Sequence, residues 1–279
     1  MSGAPDMAAL EAKVAKSSFY AAMKTMPPGE RAGMFAIYAF CRAVDDIADD
    51  QQGERAERKA QLDAWRADLD SLYAGGSPGQ AAFLAEPVKA FGLEKADFVA
   101  IIDGMQMDVD GDIVAPDHAT LDLYCDRVAS AVGRLSVKVF GMERQPGIDL
   151  AHHLGRALQL TNILRDLDED AGIGRLYVSS DALQAAGVPI ADPSAVIADP
   201  KIDAAARVIA EEARRHYAEA DKVMRAARQG QLRPPRLMGA AYGRILRHMQ
   251  ATGWAPPRRR VSLSKGEKLW VLVRYGLMP

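Results

Sequence analysis

Asp45 and Asp49 lie four residues apart, as do Asp46 and Asp50, at the end of "RAGMFAIYAFCRAVDDIADD". On a helix that spacing stacks each pair on one face, about one turn apart. A second stretch, "QLTNILRDLDEDAGIG", sets Asn162, Asp166 and Asp170 at i, i+4 and i+8, with Gln159 one turn earlier on nearly the same face. Neither arrangement is comfortable alone. Like charges at i,i+4 cost a few tenths of a kcal/mol, and a carboxylate at the negative end of a helix dipole costs roughly 0.3–1 kcal/mol more. A hard cation with oxygen ligands removes both costs. Magnesium binds through one or two carboxylates plus substrate phosphates, so two facing acidic ends would hold a small Mg²⁺ cluster against a diphosphate. Arg42, Arg165, Arg175, Arg260 and Lys268 are the basic candidates to complete that grip. Calcium loops are excluded: "DLDEDAGIGRLY" has Ala171 where the loop glycine belongs and Tyr177 where the bidentate Glu belongs.

The elements that must position these groups read as helices. Apolar residues recur at helical period almost throughout and strand alternation is nearly absent. The expected helices run near 6–25, 29–52, 54–74, 79–90, 94–108, 118–141, 149–171, 201–229, 234–252 and 265–275, with short turns at 179–186. "PPG", "GGSPG", "APD", "QPG" and "GIG" punctuate them. The Pro-containing segment 186–203 reads as a surface loop with a helical turn. Met34, Phe35, Ile37, Tyr38, Phe40, Cys41 and Val44 make the first acidic-ended helix apolar on nearly every side. Such a helix is buried, and its acidic end opens into a cleft. Acid-lined helix ends over an apolar cavity point to ionisation of an allylic diphosphate to a carbocation.

Composition narrows the classes. Of 279 residues 49% are hydrophobic and 26% charged, with formal net charge −2, which fits an ordinary globular protein and gives no support for nucleic-acid binding. Cys41 and Cys125 sit in apolar helical stretches and read as reduced core residues. The opening "MSGAPDMAALEAKVAK" lacks the apolar block of a signal peptide, and no run of about 18 apolar residues occurs. The expectation is a cytoplasmic protein of one all-α domain spanning 1–279. Arg258, Arg259, Arg260, Lys265, Lys268 and Arg274, against Glu267 and beside Trp270, Leu272 and Leu277, raise loose attachment to the inner, anionic face of a membrane.

"SSFYAAMKTMPP", "AIYAFCRAVDDIADD", "YCDRVASAVGRLSV", "QLTNILRDLDEDAGIGRLYVS" and "RRRVSLSKGEKLW" together resemble the squalene/phytoene synthase family, in order over residues 16–273. Within it the "SSFY" opening is similar to the bacterial, hopanoid-route members that form presqualene diphosphate. The resemblance implies a class I terpenoid-synthase helical bundle around a central apolar cavity. It assigns Asp45, Asp49, Asn162, Asp166 and Asp170 to roughly two or three Mg²⁺ ions, with Gln159 as helper. It puts Ser18, Arg42, Arg165, Arg175, Arg260 and Lys268 at the diphosphates, Tyr242 near them and Phe19 in the cavity wall. Where several relatives read Tyr-Val-Ala-Gly this chain reads Arg127, Val128, Ala129, Ser130. A tyrosine proposed to act on protons is thus replaced; Tyr124, one helical turn away, and the released diphosphate are the candidates to take the final proton.

The implied reaction joins two farnesyl diphosphates head to head, releases diphosphate and closes a cyclopropane to presqualene diphosphate. Phytoene synthesis from C20 substrates, and full squalene synthesis with NADPH, are the alternatives. No glycine-rich nucleotide fingerprint occurs, but helical relatives need none; the expectation is a reaction that does not require NADPH. Enzymes acting next on the product are expected partners. Head-to-tail synthases would need a second DDxxD, which is lacking, and cyclases place Ser or Thr and then Glu where this chain has Asp166 and Asp170. A non-catalytic helical scaffold with acidic docking patches is the reading from another class.

Overall fold

The computed structural model describes Met23, residues 26–49 and residues 53–277. The expected helix at 6–25, with Ser18 and Phe19, lies outside the described residues. The helices are α1 (Pro28–Asp49), α2 (Arg55–Tyr73), α3 (Ala85–Phe91), α4 (Lys95–Asp110), α5 (His118–Cys125), α6 (Ala131–Val139) and α7 (Arg144–Arg165). They continue as α8 (Leu167–Gly172), α9 (Ser180–Ala186), α10 (Pro193–Ala198), α11 (Ile202–Ala226), α12 (Arg233–Thr252) and α13 (Lys265–Val271). Among the described residues the one extended pairing is an isolated parallel bridge between Val114 and Leu176.

Two apolar clusters hold the bundle. The first surrounds α1, whose Ile37, Phe40, Val44 and Ala48 are completely buried. Phe40 meets Trp65 of α2 and Phe98 of α4 edge to face, at 5.4 and 5.0 Å between ring centroids. Each such pair adds about 0.5–1.5 kcal/mol beyond its burial. The second cluster gathers Leu160, Ile163 and Leu164 of α7 with Ile202, Ile209 and Ala213 of α11 and Leu237 and Leu246 of α12. Helix α7 belongs to both, since its Leu150, Ala151 and Leu154 join the first. That makes α7 the spine, and the acidic end of this spine is the one that matters.

The sequence reading needs two adjustments. The span 118–141 is not one helix: a π-helical turn at Asp126–Ser130 separates α5 from α6. Here the backbones come very close. A Cβ placed on Gly155 of α7 would stand 2.7 Å from the Ser130 Cα, and one on Gly133 of α6 would stand 3.0 Å from Ala151. The span 149–171 begins earlier, at Arg144, and breaks at Asp166, whose φ −104° and ψ 19° leave the helical region. Its hydrogen-bond ladder nonetheless runs through the break: Asp166 N–H donates to the Asn162 carbonyl at 2.9 Å and Asp170 N–H to the Asp166 carbonyl at 2.8 Å. The spacing of four therefore survives in the backbone bonding although the helix does not.

Candidate active site

Between α1, α6, α7 and α12 lies an apolar cavity of about 230 Å³. Met34, Val132, Leu154, Leu158 and Met238 form its walls, and Gln159, Asn162 and Tyr242 give it a polar end. Gly133, Ala151 and Gly155 also line it, so the tight α6–α7 crossing is where side-chain volume has been withheld.

Just beyond Asn162 the spine ends in a charged clamp. Arg165 donates to both carboxylate oxygens of Asp166, from Nε at 2.8 Å and from a terminal nitrogen at 2.5 Å. Arg260 reaches Asp166 from the C-terminal segment at 2.8 Å and Glu169 at 3.1 Å. Burial alone would raise the Asp166 pKa; the two guanidiniums outweigh it and hold the carboxyl below its ordinary range. Arg165 keeps its charge for the converse reason: burial opposes it, and Asp166 more than compensates. Its guanidinium carbon lies 5.8 Å from the centre of the Tyr242 ring.

Other side chains hold that segment in place. The Trp254 indole N–H donates to the Leu164 carbonyl at 3.0 Å. Arg258 forks onto Asp168 at 2.9 and 3.0 Å and onto the Ile197 and Trp254 carbonyls. Thus Arg258, grouped by sequence with a basic tail, is a fastener that delivers Arg260.

The α1 end carries Asp45, which accepts from Arg42 at 2.5 Å; Arg42 also pairs with Asp46. Asp49 closes α1. The two acidic ends converge through a carbonyl. Ala48 O accepts from Arg175 at 3.0 Å and from Arg58 of α2 at 3.2 Å. Arg175 is itself 4% exposed and follows α8 by three residues, and its own N–H donates to the Asp170 carbonyl at 2.9 Å. One buried arginine therefore ties the end of α1 to the end of α8.

Two expected contacts are not assembled in this way. Tyr124 does not line the cavity. Its hydroxyl donates to Asp108 at 3.0 Å and meets the Tyr177 hydroxyl at 3.3 Å, with the two rings stacked 4.8 Å apart. Burial, then the nearby Asp108 charge, push its pKa well above the ordinary phenol value. Lys268 stands exposed on α13 beside a small hollow lined by Leu237, Ala241 and Leu263, with no ion pair to either acidic end among the described residues. Asp108 and Tyr177, which sequence reasoning missed, form the buried centre of this second cluster, with the Arg175 Nε 4.0 Å from Asp108. Partners 69 residues apart leave no periodic signal, and the acidic stretch "DVDGD" that opens with Asp108 is the one visible hint.

The donor set fits a hard divalent cation. Asn162 Oδ1 is buried and has no hydrogen-bond partner among the described residues, a costly state for an amide oxygen. Gln159 lies beside its amide nitrogen, and Asp166 and Asp170 follow at one-turn steps in the backbone ladder; amide and carboxylate oxygens are the ligands that magnesium takes.

The squalene/phytoene synthase family pattern matches residues 12–267. A presqualene diphosphate synthase of Zymomonas mobilis is 58% identical over 258 residues, covering 92% of this chain and 88% of that one. One from Rhodopseudomonas palustris is 52% identical, covering 98% of each; a phytoene synthase of Mycobacterium tuberculosis stands lower, at 33%. The crystal structure of a dehydrosqualene synthase with ligand superimposes with TM-score 0.78 and 25% identity, over 98% of this chain and 95% of that one. The chain belongs to the squalene/phytoene synthase family.

Proposed function

We propose that this protein is a prenyltransferase that condenses two farnesyl diphosphates head to head into presqualene diphosphate, releasing diphosphate, in squalene or hopanoid synthesis. The carrying observation is the junction of an apolar cavity with an orphaned Asn162 oxygen and the Arg165–Asp166–Arg260 clamp. Family and fold imply divalent-metal-dependent binding of a prenyl diphosphate. In this reading the metal is Mg²⁺, held by Asp45, Asp49, Asn162, Asp166 and Asp170. When bound it supplies Lewis-acid neutralisation of the departing diphosphate.

The chain's own groups do the rest. Arg42, Arg165 and Arg260 place positive charge where the leaving group becomes more negative, which is where preorganised charge accelerates a reaction. Gln159 orients Asn162, whose amide nitrogen lies 3.5 Å from its oxygen. Met34, Leu154, Leu158 and Met238 exclude water from an allylic cation and hold the two chains in register. Tyr124 acts as a positioning residue: with Tyr177 it fixes Asp108, which faces Arg175 and so sets the approach of the two acidic ends.

Among the described residues no helix is long and apolar enough to cross a membrane. Exposed Leu269, Trp270 and Val273 flank Lys265, Lys268 and Arg274, and in our reading they rest on an anionic leaflet. Co-sedimentation with anionic vesicles that Leu269→Ser with Trp270→Ala leaves unchanged would contradict this.

Product identification tests the main reading. Purified protein with farnesyl diphosphate and Mg²⁺ is expected to yield presqualene diphosphate with or without NADPH. Geranylgeranyl diphosphate as the preferred substrate, or product in the presence of chelator, would overturn it.

A further inference from the structure

Three histidines outside the diphosphate region converge where α7 packs on α11. His152 and His153 are consecutive on α7, so an ordinary helix would point them about 100° apart. Here their rings are 4.7 Å apart at 86°, and both approach His216 of α11, at 5.7 and 5.2 Å between centroids. His153 Nδ1 and His216 Nδ1 are 3.0 Å apart. One ring nitrogen from each of the three lies within 4.8 Å of the other two. A shared proton between two neutral rings accounts for the His153–His216 contact. It does not account for the third ring.

We propose that His152, His153 and His216 form a binding site for a divalent transition-metal ion of the zinc class, with solvent as fourth ligand. Zinc takes imidazole nitrogens at about 2.0–2.1 Å in a tetrahedral set, which places ligand nitrogens about 3.3 Å from one another, within the range these rings span. Three nitrogen ligands select zinc, cobalt or nickel and reject magnesium, which demands oxygen. The chain thus separates two metal classes on one helix, since His153 precedes Asn162 by nine residues, about 13 Å of helix. Asp149 and Glu219 face His153; Asp122 and Asp126 face His152, and Arg156 opposes them from within its own pairs with these acids. Burial, then the neighbouring rings, hold His216 down to about 4, which keeps it a neutral ligand near pH 7.

Such an ion would pin α7 to α11 beside a functional contact. Tyr217, next to His216, shares a hydrogen bond with Thr161 at 2.9 Å, and Thr161 precedes Asn162. The proposed role is a clamp on the spine that carries the polar end of the cavity.

The test uses full-length, tag-free protein stripped with chelator and held in excess Mg²⁺. Equilibrium dialysis with Zn²⁺ is expected to give one bound ion per chain and a higher thermal midpoint, and Co²⁺ to give the strong visible bands of a tetrahedral site. His216→Ala and His153→Gln, each checked for fold by circular dichroism without metal, should weaken uptake by at least about 10–100-fold, the loss expected even for a partner that merely orients a ligand. Asp45→Asn and Asp166→Asn should retain it. No uptake in Mg²⁺, uptake that survives in both folded histidine variants, or uptake lost in Asp166→Asn would overturn the proposal.

Discussion

The two acidic helix ends look alike in sequence and differ in how the fold neutralises them. At the end of α1, Asp45 is one-third exposed and meets Arg42 of its own helix, which is 40% exposed and shared with Asp46. At the end of α7, Asp166 is 20% exposed and is gripped from two directions, by Arg165 beside it and by Arg260, 94 residues later. The Arg42 pairs described at the first end are local and partly exposed, and such pairs contribute about 0–1 kcal/mol each. The second is balanced by tertiary structure. The two ends thus differ in burial and in the reach of their described partners, and Arg175 on the Ala48 carbonyl links the α1 end to the segment after α8.

That contrast can be broken by substitution. The largest effect expected is on turnover. Asp45→Asn and Asp166→Asn should each lower kcat on the order of 10²-fold or more, as removal of one preorganised charge-stabilising group does. The double variant should lose little beyond the worse single one, because groups that act as a unit are not additive. Steady-state kinetics with farnesyl diphosphate checks this, and independent, multiplying losses would separate the two ends.

Next in size is stability. Arg165→Ala should cost about 1–3 kcal/mol, since it leaves a mostly buried carboxylate short of a partner, whereas Arg42→Ala should cost under about 1 kcal/mol. Urea unfolding of the two variants tests whether the more buried pair is the more firmly held; equal costs would refute it. Gly155→Ala falls in the same range, about 1–3 kcal/mol, because its new methyl meets backbone at Ser130. It should also shift product distribution by narrowing the cavity.

The smallest effect concerns pH. The folded Asp166 pKa is depressed, so its stabilisation is complete above the unfolded carboxylate value of about 3.9 and is lost as pH falls through the lower folded value. The stability gap between wild type and Asp166→Asn should be flat from neutral pH down to about 4 and close below it. A gap that closes near pH 6 would point to another group.

Much of this was legible beforehand because helical period and spacing are local. The burial of α1 followed from apolar residues on nearly every side, and the four-residue spacing of Asn162, Asp166 and Asp170 persists in the backbone bonding through the break at Asp166. What escaped was long-range or subtle. The π-helical turn at Asp126–Ser130 shifts the period too little for hydrophobic pattern to register. The Asp108–Tyr124–Tyr177 cluster joins three separate elements, and the Arg58 and Arg175 bonds to Ala48 use a backbone carbonyl that no motif records.

In the proposed function both acidic ends grip one metal-bound diphosphate. Calorimetric titration of inorganic diphosphate, with Mg²⁺ present and absent, into wild type, Asp45→Asn and Asp166→Asn tests it most directly. Mg²⁺-dependent binding in wild type and a large loss of affinity in either single variant are expected. Wild-type affinity in either variant, or binding indifferent to Mg²⁺, would contradict it.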